Sequence, residues 1–428
     1  MAGIRTKTVV ASNAGNVLEW YDFFIFAYLA PYLSDEFFPS SDPFAGLIQT
    51  YGVFALGYFA RPIGGVIFGY LGDRFGRRLA LRVSIVSMMV PTTLIAVVPT
   101  HQDIGTLAAL LLIALRIIQG MSVGGEQGGS ICYLVEVSPP GRKGLIGSLA
   151  YTGSVFGILL GSFVVLVAKS SFTSEEMHDW AWRIPFLGAI LLGLIGLWVR
   201  RHLHETDDFL MAQERGQLTK QPLAHLFTEA PFGVLKMIGV ILYTTVSFYT
   251  VFAWLPTYAS HFGSGLQLDP QLINTVALLV LLCCLPIGGH LADRLGYKRV
   301  LIVPAFIGAI LIVPIFLAAE AGSESLLMGL IMLFAVNMAM ANGALPIAIT
   351  DLMPAHLRFT GVAVTMNIEV AVFGGTVPLI ATWLIATTGN QSAPAWYLIA
   401  ISLVSILATL TITPGMYTAT ALPSARHR

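Results

Sequence analysis

Six ionisable side chains fall inside long apolar runs of the sequence: Glu19, Asp22, Arg61, Arg116, Glu126 and Glu369. An ionised group in hydrocarbon costs several kcal/mol when it faces lipid, so such residues belong at interior sites. Glu19 and Asp22 are three residues apart, and with Asn16 they share one helix face. Arg116, Gln119, Glu126 and Ser130 form a second stripe. Four acids against two bases leave an excess of two negative charges if all are ionised. Burial favours the neutral form of a carboxyl and a neighbouring guanidinium favours the ionised form, so at least one of these acids is expected to be protonatable. An acid whose protonation depends on whether an arginine is engaged by a solute would couple proton movement to solute movement. Glu19, Asp22, Glu126 and Glu369 are the candidate acids. Arg61 and Arg116 could hold a carboxylate through two parallel hydrogen bonds each. An ion pair between Arg61 and Glu19 or Asp22 is the structural alternative.

The elements that must position these groups are transmembrane helices. The 428 residues are 56% hydrophobic and 11% charged, against roughly 25% charged in a soluble domain, which excludes an ordinary water-soluble globule. Apolar stretches of about 20 residues, enough to span, occur near 10–33, 48–72, 79–98, 105–131, 145–168, 184–200, 234–257, 272–291, 300–318, 326–349, 360–384 and 395–414. These runs are continuous rather than alternating, so an all-α protein of twelve spans is expected, not a barrel. The first run is long and polar for a cleaved signal peptide and is read as a retained helix. Basic residues gather in alternate connections, from Arg5 and Lys7 through Arg74, Arg77, Arg142, Arg200, Arg294 and Arg358 to Arg426, while the opposite connections hold little beyond Lys169 and Arg183. Both termini are therefore expected on the cytoplasmic side. Cys132, Cys283 and Cys284 imply no disulfide framework.

The polar stretch 200–231 divides the chain into an N-terminal half, 1–199, and a C-terminal half, 232–428. "GYLGDRFGRR" at 69–78 is matched by "GHLADRLGYKR" at 289–299, and "EVSPPGRKG" at 136–144 by "DLMPAHLRFTG" at 351–361. "LAPYL" at 29–33 is matched by "LPTYA" at 255–259, so a duplicated six-helix unit is expected. The twin G-x-L-x-D-R-x-G loops and "RIIQG" at 116–120 resemble the major facilitator superfamily. "GNVLEWYDFFIFA", "ARPIGG" at 60–65 and "GGEQGG" at 124–129 resemble its metabolite:H⁺ symporter branch. The resemblance covers the whole chain. It implies two six-helix bundles related by a pseudo-two-fold axis, with helices three, six, nine and twelve facing lipid, and points to Arg116 as the base that tunes an acid. The fifth helix lacks the Gly-Pro pair of the superfamily's drug/H⁺ antiporters.

Counting about 1.5 Å per residue, Glu19, Asp22, Arg61 and Arg116 all come close to the midplane. With the two arginines, Asn16, Tyr21, Gln119, Tyr243 and Asn337 are the candidate solute contacts, and Tyr249, Asn274, His290, Asn342 and Asn367 are further polar residues of the second half. The aromatic run Trp20, Tyr21, Phe23, Phe24, Phe26, Tyr28 serves packing or a cation box. Asp73, Arg77, Arg142, Asp293 and Arg294 are candidate gating residues: Asp73 could pair with Arg77 or Arg142, or sit at the positive N-terminus of the eleventh helix, only when the halves close on the cytoplasmic side.

No His/Glu pair at metal spacing and no P-loop occurs, so neither an intramembrane enzyme nor a cofactor is expected. The 200–231 stretch is too short to fold as a sensor's output domain or an ATPase. The expected function is proton-coupled import of a small carboxylate, of citrate or dicarboxylate type, across the bacterial inner membrane by alternating access. The partners are the solute, the proton and the bilayer, with no nucleic acid, and the unit is a monomer. The alternative is proline, glycine betaine or another zwitterion, which excess acid and aromatic rings suit. The roughly fifteen residues after the last span are too few for the coiled-coil extension of osmosensing relatives, which weighs against it.

Overall fold

The computed structural model describes residues 6–75, 77–123, 126–200, 222–262, 268–354 and 356–413. The expected connection 200–231 lies mostly outside them. All regular elements among the described residues are helical. The spans are α1 (Thr6–Tyr28), α2 (Pro43–Phe59 with Arg61–Phe75), α3 (Arg77–Ile95), α4 (Thr106–Ser122 with Glu126–Glu136), α5 (Lys143–Ser171) and α6 (Ile184–Arg200). They continue as α7 (Pro231–Phe248, Tyr249–Trp254 and Leu255–Phe262), α8 (Pro270–Leu295), α9 (Tyr297–Glu320), α10 (Glu324–Asp351), α11 (Arg358–Glu369, Val370–Gly374 and Val377–Thr388) and α12 (Ala393–Leu410). Ten of the twelve are long and apolar enough to cross a membrane by composition alone. Of the other two, α1 carries Asn16, Glu19 and Asp22, and the described apolar part of α3 is Arg82–Ile95.

Burial is most extreme at α7 on the one side and at α6 and α12 on the other. The most apolar window of α7 is 94% buried, against 33% for α6 and for α12. Leu191 and Trp198 of α6, Phe306 of α9 and Leu407 of α12 point outward, as the resemblance implied for these helices. α3 departs in part: Val90 and Leu94 are exposed, but Thr92 is fully buried and turns toward α1.

Four spans change segment near the midplane. α2 changes segment at Ala60, just before Arg61 and Pro62, where proline supplies no N–H although Ala60 keeps α-helical dihedrals and bonds to Leu56 and Gly64. α4 is interrupted at Val123, which adopts extended dihedrals ahead of the glycine pair 124–125. α7 and α11 carry π-helical turns at Tyr249–Trp254 and Val370–Gly374. Such turns leave backbone groups locally unpaired and concentrate at functional sites. The break in α4 interrupts the stripe expected to join Arg116 and Gln119 to Glu126 and Ser130.

Candidate functional site

The groups on α1 diverge to different neighbours although their spacing puts them on one face. Glu19 Oε1 lies 3.2 Å from Arg61 Nη2, with both side chains at most 4% exposed. Asp22 Oδ2 accepts a 2.8 Å hydrogen bond from the Thr92 hydroxyl. Thr92 in turn accepts from Gln119 Nε2 at 2.5 Å, and Gln119 Oε1 accepts from Arg116 Nη1 at 3.0 Å. Asp22 and Arg116 are thus joined by a buried relay through α3 and α4 rather than by a direct pair. Thr92 escapes a search for ionisable residues; the sequence signal for it is a hydroxyl directly after Pro91 in an otherwise apolar span.

Both guanidinium groups sit on aromatic faces. The Arg61 guanidinium carbon is 4.5 Å from the ring centres of Phe23 and Tyr58 and 5.6 Å from that of Trp20. Arg116 lies 4.7 Å from Phe23 and 4.3 Å from Phe26. The α1 aromatic run packs, and its rings face the two internal guanidinium groups. Beside the Glu19–Arg61 pair is a small cavity of about 10 Å³ bounded also by Val123, Gln127, Met366, Asn367 and Val370. The segment changes in α2, α4 and α11 all border it. Above it, the Tyr249 hydroxyl of α7 donates to the Tyr58 hydroxyl of α2 at 2.8 Å.

Several expected contacts lie elsewhere. Tyr21 donates to the Pro185 carbonyl at 2.7 Å and so faces α6. Tyr243 fills the notch above Gly308 of α9 and accepts from Asn337 Nδ2 at 2.7 Å, while Asn337 also donates to the Pro304 carbonyl. These two side chains brace α7, α9 and α10 rather than line the cavity. Asn16 is buried and its amide atoms have no hydrogen-bond partner. Glu369 is buried in the C-terminal half, where Thr245 donates to its Oε2 at 3.0 Å. The side chains of Glu126, Asp73 and Arg77 lie outside the described residues.

The two halves touch at both ends of the α5–α8 contact. At the end bearing the basic connections, Asp293 accepts from the backbone N–H groups of Gly144 and Leu145 at 2.7 and 2.9 Å, capping α5 from the opposite half. Arg358 of α11 pairs with Glu136 of α4 at 3.0 Å. At the other end Lys169 pairs with Asp269 at 2.8 Å, and Ser162 bonds Thr275 at 2.7 Å. Glu19, Asp22, Arg61 and Arg116 are consequently enclosed from both sides. Arg142 and Arg294 are exposed. Asp293→Ala removes two hydrogen bonds to a charged acceptor, each worth about 1.5–3 kcal/mol. The expected result is a loss of the closed-inside population by more than about a hundredfold, read as faster maleimide labelling of Cys132, which is buried between α4 and α11.

Residues 14–372 match the model of the Major Facilitator Superfamily. The proline/betaine transporter of Escherichia coli (strain K12) is 31% identical over 420 residues, covering 96% of this chain and 84% of that protein. A protein of Staphylococcus aureus (strain COL), provisionally named for the same two solutes, is 34% identical over 411 residues, 94% of this chain and 86% of its own. Among solved structures, a D-xylose-proton symporter superposes with a TM-score of 0.75 at 20% identity, over 96% of this chain and 99% of that one. With that match across most of its length and the twelve-helix architecture around a buried midplane site, the chain belongs to the Major Facilitator Superfamily and is a multi-pass membrane transporter of a small molecule.

Proposed function

We propose that this protein imports a zwitterionic solute, proline or glycine betaine, together with protons across the bacterial inner membrane, as a member of the metabolite:H⁺ symporter branch. The observation that carries this reading is the buried Glu19–Arg61 pair, set on aromatic rings beside the cavity. A buried pair opens at low cost only if each charge finds a new partner. A zwitterion supplies both: its carboxylate takes Arg61, and its ammonium takes Glu19 and the rings of Trp20, Phe23 and Tyr58. A dicarboxylate would add two negative charges beside Glu19 and bring no positive group to it. The expectation of a citrate-type or dicarboxylate solute rested on two arginines available to an anion. Arg61 has Glu19 as its counter-ion, Arg116 donates to Gln119 through Nη1 while its Nε and Nη2 have no hydrogen-bond partner, and the Escherichia coli and Staphylococcus aureus proteins reported above are named for proline and betaine. The zwitterion reading therefore replaces it.

In this account Glu19, Arg61 and Asn16 contact the solute, and the Asp22–Thr92–Gln119–Arg116 relay, with Glu126 and Glu369, belongs to proton coupling. Asp293 and its repeat counterpart Asp73, with Arg77, Arg142 and Arg294, serve the inner gate between the halves 1–199 and 232–428, and one monomer suffices. The test is uptake into proteoliposomes under an imposed proton gradient. Labelled glycine betaine or proline should accumulate and be lost on uncoupling, while citrate and succinate should not enter above the protein-free background. Accumulation of a dicarboxylate, or uptake that survives uncoupling but requires Na⁺, would overturn the proposal.

A further inference from the structure

The described interior acids differ in how their charge is met. Glu19 has the Arg61 guanidinium at 3.2 Å. Asp22 is linked to Arg116 through Thr92 and Gln119. Glu369 has neither arrangement: Thr245 donates to one oxygen, while Oε1 is buried with no hydrogen-bond partner. The titratable groups within reach of its charge on neighbouring helices are tyrosines, namely Tyr151 of α5, Tyr249 of α7 and Tyr397 of α12. On the elements packed against α11, Arg61 of α2 lies across the cavity and is taken by Glu19. Glu136 of α4 is paired with Arg358 at the inner end, and the Glu126 side chain is outside the described residues. No lysine, arginine or histidine among the described residues pairs with Glu369. A lone carboxylate so placed would bear an uncompensated desolvation cost, whereas the acid form has a single O–H to satisfy.

Position adds a second, independent argument. Glu369 directly precedes the π-helical turn Val370–Gly374, and Asn367 and Val370 on either side of it line the cavity. Thr245 lies one helical turn from Tyr249, whose hydroxyl reaches Tyr58, the ring beneath Arg61. The carboxyl therefore shares its helix turn with the solute cavity and connects through α7 to the Glu19–Arg61 pair, yet it belongs to the opposite half.

We propose that Glu369 carries the coupled proton: the proton adds to its free oxygen while the outer side is open, travels with the enclosed solute, and leaves from the same oxygen to the inner side. This rests on the zwitterion-import reading above. The solute brings no net charge, so one proton on Glu369 lets the loaded carrier close with that carboxyl neutral.

The experiment uses the full chain in proteoliposomes with an external pH probe and labelled glycine betaine. Glu369→Gln mimics the protonated acid. It should keep betaine counterflow within about threefold of wild type, because exchange requires no proton release, while gradient-driven accumulation and betaine-induced alkalinisation both disappear. Alkalinisation at the wild-type ratio in this variant would overturn the proposal, and so would loss of counterflow, which would make Glu369 a solute ligand. Thr245→Val provides a second reading that does not alter the acid. Removing the donor that favours the ionised form should move the pH midpoint of accumulation upward, and an unmoved midpoint would contradict the assignment. If wild type shows no betaine-driven alkalinisation, the import reading itself fails, which is a separate outcome.

Discussion

Arg61→Met should abolish uptake and also lower the stability of the purified protein, by about 3–5 kcal/mol, because it removes the guanidinium that meets the buried Glu19 charge. The cost comes from removing one partner, so the double variant Glu19→Gln/Arg61→Met should regain most of the stability without regaining transport. Thermal unfolding in detergent, alongside betaine uptake, separates the two effects. Arg61→Lys is the sharper functional test. It keeps the charge but replaces the planar fork by a compact ammonium that cannot hold a carboxylate through two parallel bonds. Its binding should fall roughly ten- to a hundredfold, the equivalent of one charge-assisted hydrogen bond. Normal betaine affinity in Arg61→Lys would leave Arg61 a structural partner of Glu19 alone.

The second large effect is expected at a residue with no charge. Gly144 of α5 and Gly289 of α8 meet backbone to backbone across the halves, and a Cβ built on either would collide with the carbonyl oxygen of the other. Neither obstacle is a flexible side chain, so Gly289→Ala can be accommodated only by separating the helices at the inner end. The protein should still fold, because the clash lies between the halves rather than inside one, but the closed-inside state should be lost and transport should fall by tenfold or more. In a background with Cys283 and Cys284 replaced by Ser, Cys132 should become reactive to a permeant maleimide without added solute. Gly120→Ala is the contrast. Its Cβ would strike the Gly57 carbonyl between α2 and α4 of the same half, so the amount of folded protein should drop instead.

Much of the fold was legible because hydrocarbon leaves the chain few options. Each expected span lies on a helix, but the lipid-facing set does not follow from charge alone, since α7 also lacks intramembrane charge and is the most buried span. The segment changes were less visible. Pro62 marks that of α2, and the glycine pair 124–125 follows that of α4, but the π-turns of α7 and α11 carry no composition signal of their own. At the site, burial of the intramembrane charges and the Glu19–Arg61 alternative were readable from cost alone. Which acid meets which base was not, because spacing fixes the face of a helix but not the helix opposite. Asp22 turned to Thr92 for that reason. Tyr21 and Tyr243 failed as cavity residues because an aromatic hydroxyl in a membrane helix takes the nearest available acceptor or donor, here the Pro185 carbonyl and the Asn337 amide. The Asp293 cap was foreseeable from its repeat counterpart: an aspartate was expected at the N-terminus of a helix in the other half, and one is found at α5.

The central claim is that a zwitterion opens the Glu19–Arg61 pair and takes its place, and the structure of the protein with glycine betaine bound tests it most directly. The account predicts the betaine carboxylate on the Arg61 guanidinium, its quaternary nitrogen against the Trp20 and Tyr58 rings and near Glu19, and no remaining contact between Glu19 and Arg61. Betaine bound elsewhere, with Glu19 and Arg61 still about 3 Å apart as they are here, would contradict it.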